Sequence, residues 1–133
     1  MDLKELERRM IETRRDLHRF PEPAWTEFRT SALVAARLEE LGYAPRTGSE
    51  VIDEGSVMGR PSEEQIDREI ARAVEQGGDR GRIERMGRYT GVTADLDTGR
   101  PGPTLAFRFD MDCVDVGEDM SPDHRPAKEG FAS

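Results

Sequence analysis

Residues Thr104–Asp115 read TLAFRFDMDCVD, and this stretch constrains the fold more than any other. An apolar run, Leu105-Ala106-Phe107, passes through Arg108 and Phe109 and ends on Asp110-Met111-Asp112. Side chains on a strand repeat with period two, so a strand over Thr104–Phe109 aims both following carboxylates the same way. In open α/β sheets the ends of strands are where ligands and reacting groups are placed. The expected fold class is therefore α/β, with helices packed on part of a mixed sheet.

The flanking sequence supplies the helices. Leu3, Leu6, Met10, Thr13, Leu17 and Phe20 recur at three- and four-residue spacings, which predicts an amphipathic helix over residues 2–20. Pro21 and Pro23 stop it, because proline drives the preceding residue out of the helical region. A second helix is predicted from about Thr26 to Leu41, capped by Thr26, with Phe28, Ala32, Ala35 and Leu38 on one face and Gly42 just past its end. Tyr43–Ile52 is irregular with room for a short edge strand, and Asp53–Pro61 reads as loop. Ser62-Glu63-Glu64-Gln65 is a capping-box pattern that opens a helix lined by Ile66, Ile70, Ala73 and Val74 and closed by Gly77-Gly78. A short helical turn follows at Arg80–Met86. Tyr89–Asp97 reads as a strand, and the turn residues Thr98–Pro103 join it to Thr104–Phe109 as a hairpin. Val114–Ser133 carries four Pro or Gly residues without periodicity and reads as a surface loop.

Composition excludes several classes. The formal net charge is −8, from 28 acids against 20 bases, which disfavours nucleic acid and anionic membranes as partners. Only Lys4 and Lys128 are lysines among those bases. An acidic, Lys-poor, Arg-rich chain fits either a salt-adapted protein or a GC-rich coding sequence. No apolar run is long enough to span a bilayer, and MDLKELERRM has no apolar core of a secretory signal, so a cytoplasmic location is expected. Cys113 is the single cysteine, so no internal disulfide forms. A zinc finger from this chain alone fails too, since only His18 and His124 could join that thiol.

Asp110-x-Asp112 has three readings. A calcium loop fails, because Val114 and Asp115 stand where a fifth-position oxygen ligand and a sixth-position glycine are required. The others are a pair of site carboxylates at a strand end, or acids that cap a turn or pair with Arg108. His18 is expected to be hydrogen-bonded at a helix end, His124 to be solvated in the tail, Trp25 to plug the helix pair, and Cys113 to pack as a small apolar side chain. No phosphate loop, dinucleotide fingerprint or serine nucleophile elbow is present.

Three segments together resemble a known family. Arg14-Arg15-Asp16-Leu17-His18-Arg19-Phe20-Pro21-Glu22, followed by Trp25–Thr30, is similar to the R-R-x-L-H-x-x-P-E opening of the amidohydrolase branch of the aminoacylase/carboxypeptidase-type dinuclear metallopeptidases. Arg108–Asp112 resembles that branch's R-x-D-M-D strand. Within the branch, Met58-Gly59-Arg60-Pro61, the run Thr98–Pro103, His124-Arg125-Pro126 and Gly130–Ser133 resemble the p-aminobenzoyl-glutamate hydrolase A-subunit group.

The resemblance implies cleavage of an aryl-amide-linked glutamate by two divalent ions, manganese or zinc, which activate a bridging water while a glutamate acts as general base. It also implies that residues 1–133 are the N-terminal portion of a larger catalytic domain, with a helical insertion at about 53–88 and a loop tail at 114–133. The branch's H-x-C-G-H-D metal motif is absent from this chain. By that likeness no residue here binds metal. Asp110 and Asp112 are carried over as supporting residues, no cofactor is bound by this stretch, and the longer enzyme takes a small amide substrate and forms a dimer or hetero-oligomer. Two alternatives remain at this point: another N-acyl amino acid amidohydrolase, or a non-enzymatic binding module.

Overall fold

Proline and glycine set the limits of the first two helices. In the computed structural model, which describes residues 2–133, helix α1 spans Leu3–Arg19 and ends just before Pro21. Helix α2 spans Phe28–Glu40. Its end is a Schellman turn: the Gly42 N–H donates to the Glu39 carbonyl and the Tyr43 N–H to the Leu38 carbonyl. Gly42 takes φ +88°, a conformation glycine adopts at no steric cost. Then come strand β1 (Arg46–Thr47), helix α3 (Glu63–Glu75), helix α4 (Arg80–Met86), strand β2 (Val92–Thr93) and the single-turn helix α5 (Arg125–Lys128). Short 3₁₀ turns lie at Gly48–Glu50 and Glu54–Ser56.

The chain divides into two compact units: Glu22–Asp112, and the residues up to Pro21 together with Cys113–Ser133.

The Glu22–Asp112 unit holds the apolar core. Phe28 and Ala32 of α2, Ile66 and Ala73 of α3, and Ile83 and Met86 of α4 are buried against one another, with Ile70 and Val74 packed alongside. The predicted stripe of α3 lines this core at helical spacing, and of the α2 residues predicted Phe28 and Ala32 join it, Ala35 is buried and Leu38 is half-buried. Segment 53–88, the expected insertion, thus contributes α3 and α4 to this core. Ser62 caps α3 by accepting from the Gln65 N–H at 3.3 Å, and Asp79 caps α4 by accepting from the Arg82 N–H at 2.9 Å. The turn after β1 presses against the end of α4 so closely that a Cβ on Gly48 would sit 2.1 Å from the Met86 carbonyl oxygen.

The sheet pairs differently from the predicted hairpin. β2 is only Val92–Thr93, and it runs antiparallel to β1 with Arg46 opposite Thr93 and Thr47 opposite Val92. The edge strand allowed within 43–52 is therefore its partner. Thr104–Phe109 belongs to no strand, and Leu105, Phe107 and Phe109 are 73%, 78% and 83% exposed. The turn at 98–103 does form: Asp97 accepts from the Gly99 N–H at 2.8 Å and Thr98 from the Arg100 N–H at 3.3 Å. Pro101 and Pro103 have no N–H to offer a ladder starting there. Alternating apolar residues hold a strand only where something covers their apolar face.

In the other unit, α1 buries no side chain fully, and its stripe is open at Leu3, Leu6 and Met10. Packing is concentrated at its C-terminal end around Phe131, 4% exposed. The His18 ring meets Phe131 edge-on with centroids 5.5 Å apart, and the Arg15 guanidinium lies 4.8 Å above the same ring. Arg15 also pairs with Glu129 at 2.5 Å, and Arg19 donates to the Gly130 carbonyl. The tail is thus more than the surface loop expected. Its Pro126 sits in the first turn of α5, where a missing N–H costs nothing.

Candidate functional site

Glu118 gathers the two histidines of the chain. His18, in the last turn of α1, and His124, at the start of α5, each place Nε2 2.7 Å from Glu118 Oε1. The other carboxylate oxygen accepts from the Ser133 N–H at 2.7 Å and from the Ser133 hydroxyl at 3.0 Å. The glutamate side chain is only 13% exposed. The contacts from His124, the Ser133 backbone and His18 hold its carboxyl down at about 2, because each favours the charged form. His124 is therefore half-buried and engaged, not solvated as expected. His18 is hydrogen-bonded at a helix end, as its position suggested.

Such a carboxylate is too weak a base to move protons near neutral pH. Its chemistry is to clamp. It ties the end of α1 to the chain at 118, 124 and 133, and Phe131 packs edge-on against the His18 ring. Sequence reasoning passed over Glu118, which stands among Asp115, Asp119 and Asp123 in an acid-rich stretch where nothing local sets it apart.

A second buried acid, Glu22, belongs to the Glu22–Asp112 unit. It is 2% exposed, and its carboxylate accepts from the Arg29 N–H at 2.9 Å and the Thr30 N–H at 2.7 Å. Those are unpaired donors of the first turn of α2, so Glu22 caps the helix from a distance. Burial pushes its pKa up, and the two backbone donors oppose that shift. Thr26, the expected cap, instead turns its hydroxyl to the Pro23 carbonyl at 2.7 Å, and the N-cap position falls to Glu27. Glu27 in turn accepts from the Thr90 hydroxyl at 2.5 Å. Trp25 is half-buried at φ +68° and donates its indole N–H to the Met58 carbonyl at 2.9 Å, so it fastens the 53–61 loop.

Asp110 and Asp112 lie on the exposed stretch after Thr104, outside any strand. Asp110 pairs with Arg108 at 2.5 Å, both side chains largely in solvent. Cys113 is half-buried and in no disulfide. Among the described residues, no group of three or more His, Cys, Asp or Glu side chains could hold a metal ion. These residues by themselves do not make a dinuclear metal site. No helix among the described residues is long and apolar enough to cross a membrane.

No family model matches the chain. It is 50% identical over 121 residues to the A-subunit of p-aminobenzoyl-glutamate hydrolase from Escherichia coli K12, covering 90% of this chain and 28% of that protein. It is 46% identical over 132 residues to the indole-3-acetyl-aspartic acid hydrolase of Enterobacter agglomerans, covering 98% of this chain and 30% of that protein. The crystal structure of the aminobenzoyl-glutamate utilization protein from Klebsiella pneumoniae superposes with a TM-score of 0.80 at 49% identity, over 85% of this chain and 29% of that one. The chain thus spans about 30% of the length of the curated relatives it matches. In sequence and in fold it matches an N-terminal stretch of proteins of the p-aminobenzoyl-glutamate hydrolase A-subunit type.

Proposed function

We propose that residues 1–133 act as the N-terminal portion of the catalytic domain of a metal-dependent amidohydrolase, with p-aminobenzoyl-glutamate as substrate. Water adds across the amide bond: the carbonyl carbon takes the hydroxyl and leaves as p-aminobenzoate, and the nitrogen takes the proton and leaves as glutamate. The observation that carries this reading is the 49–50% identity to the Klebsiella and Escherichia coli proteins, joined to a shared fold. The divalent ions, manganese or zinc, would be held by residues outside this stretch. This stretch alone is then scaffold and inactive, and Asp110 and Asp112 support the site without ligating metal. The matched Escherichia coli protein is named as one subunit of its hydrolase, which favours a dimer or hetero-oligomer for the complete enzyme.

A second reading keeps the reaction and changes the substrate. The 46% identity to an indole-3-acetyl-aspartic acid hydrolase points to the same chemical class, an aromatic acid joined by an amide to an acidic amino acid. The test is a graft. This chain replaces the matched stretch of the Escherichia coli protein, and the chimera is assayed with that enzyme's other subunit on both amides. Chelator-sensitive release of glutamate is expected. A folded, metal-loaded chimera that cleaves only indole-3-acetyl-aspartate would establish the second reading, and one that cleaves neither would overturn both.

A further inference from the structure

Trp25 stands in a backbone conformation that its side chain disfavours. Pro23, Ala24, Trp25 and Thr26 form a turn closed by the Thr26 N–H on the Pro23 carbonyl at 3.0 Å, and Trp25 holds the third position at φ +68°. Positive φ at that place in a turn calls for glycine or asparagine. For a bulky residue it is strained, and strain persists only where the surrounding structure holds it. Trp25 is the one non-glycine residue at positive φ among the described residues. What holds it is the indole N–H on the Met58 carbonyl at 2.9 Å. Met58 lies between two anchors of its loop. On one side Asp53 accepts from the Gly55 N–H at 3.2 Å and the Ser56 hydroxyl at 2.6 Å. On the other, the Arg60 guanidinium lies 4.7 Å above the Tyr89 ring, pairs with Glu63 and donates to the Arg88 carbonyl at 3.0 Å. Among the described residues, the indole bond is the hydrogen bond that reaches Val57, Met58 and Gly59 from outside the 53–61 loop.

We propose that residues 57–59 form a strap with two positions and that Trp25 is its latch. In the closed position the indole N–H sits on the Met58 carbonyl and Trp25 stays left-handed. In the open position that bond is broken and Trp25 relaxes to an ordinary negative φ. The backbone strain of the closed position is of the same order as the net worth of one hydrogen bond, so the two nearly offset each other. The strap therefore opens by itself, without unfolding the core formed by Phe28, Ile66, Ile83 and Met86. The anchors at Asp53 and Arg60 stay in place and confine the movement to the residues between them. Glycine at position 25 would remove the strain and the latch together, whereas a ring without the N–H would remove only the bond.

The first test needs no variant. Trp25 is the only tryptophan, so the whole chain gives a single indole N–H signal in a nitrogen-15 spectrum. Its exchange with solvent should run about tenfold or more faster than that of the α3 core amides and should not respond to low urea, as local opening requires. An indole proton that exchanges only with global unfolding would overturn the proposal. The second test compares Trp25→Phe, Trp25→Gly and Trp25→Ala in the whole chain, with circular dichroism confirming wild-type helix content. Thermolysin should cut within 55–59 about threefold or more faster in Trp25→Phe than in wild type, since one hydrogen bond is lost. Trp25→Gly should unfold at higher urea than Trp25→Ala, because only alanine keeps the strain. Unchanged cleavage in Trp25→Phe, or a glycine variant no more stable than the alanine one, would each overturn the proposal. Should these variants fail to fold, the wild-type indole measurement decides alone.

Discussion

Nε2 of His18 and Oε1 of Glu118 stand 2.7 Å apart although 100 residues separate them in sequence. That contact, with its counterpart from His124, holds the tail against the end of α1 in a unit where Phe131 is the one buried apolar side chain among the described residues. Replacing Glu118 with Ala should leave the Glu22–Asp112 core intact while the amides of 121–133 lose protection. Hydrogen exchange followed by mass spectrometry reads both at once.

The same clamp sets an acid limit. Glu118 titrates at about 2 when folded, below its ordinary value of 4.5. A depressed carboxylate contributes stability that is complete above the unfolded value and is lost as pH falls toward the folded one. Tail protection should therefore hold above about pH 4.5 and decline between there and about pH 2. In Glu118→Gln that decline should be absent, and an acid titration of tail-amide exchange checks it.

Glu22 carries the opposite sign. Burial raises its pKa above 4.5, so its ionised form is a cost to the folded state that is relieved as pH falls through the raised value. Its two backbone bonds still hold the start of α2. Glu22→Ala leaves two buried N–H groups unpaired and should destabilise the Glu22–Asp112 unit by about 2–4 kcal/mol, measured by urea unfolding at neutral pH.

Two positions test the core directly. Ile66→Ala should cost about 2–5 kcal/mol by the same measurement, because Ile66 is fully buried among α2, α3 and α4. Gly48→Ala should cost about 1–3 kcal/mol or more, since the added Cβ meets the Met86 carbonyl at 2.1 Å and the residue sits at φ +56°.

Local signals in the sequence were legible where the physics is local. The Ser62 cap, the α4 span Arg80–Met86, the Gly42 terminus and the stripe of Ile66, Ile70, Ala73 and Val74 all depend on neighbours within a turn or two. The pairing of β1 with β2 joins residues about 45 positions apart, and two-residue strands leave no periodicity to read. Thr104–Phe109 shows the converse failure. Its alternation says which face a strand would bury, but not whether anything covers that face. Glu22 and Glu118 were hidden for a third reason. A buried acid is distinguished from a solvated one by donors brought from elsewhere in the fold, here the Arg29 and Thr30 amides for one and His18, His124 and Ser133 for the other. The resemblance to an amidohydrolase opening marked Glu22 and His18 as motif members, without stating what they hold.

The central claim is that these residues form the scaffold of an amidohydrolase and not its reacting centre. The most direct measurement is glutamate release from p-aminobenzoyl-glutamate by the purified chain with manganese or zinc supplied. No release above the metal-only control is predicted. Sustained release that a chelator abolishes would contradict the claim.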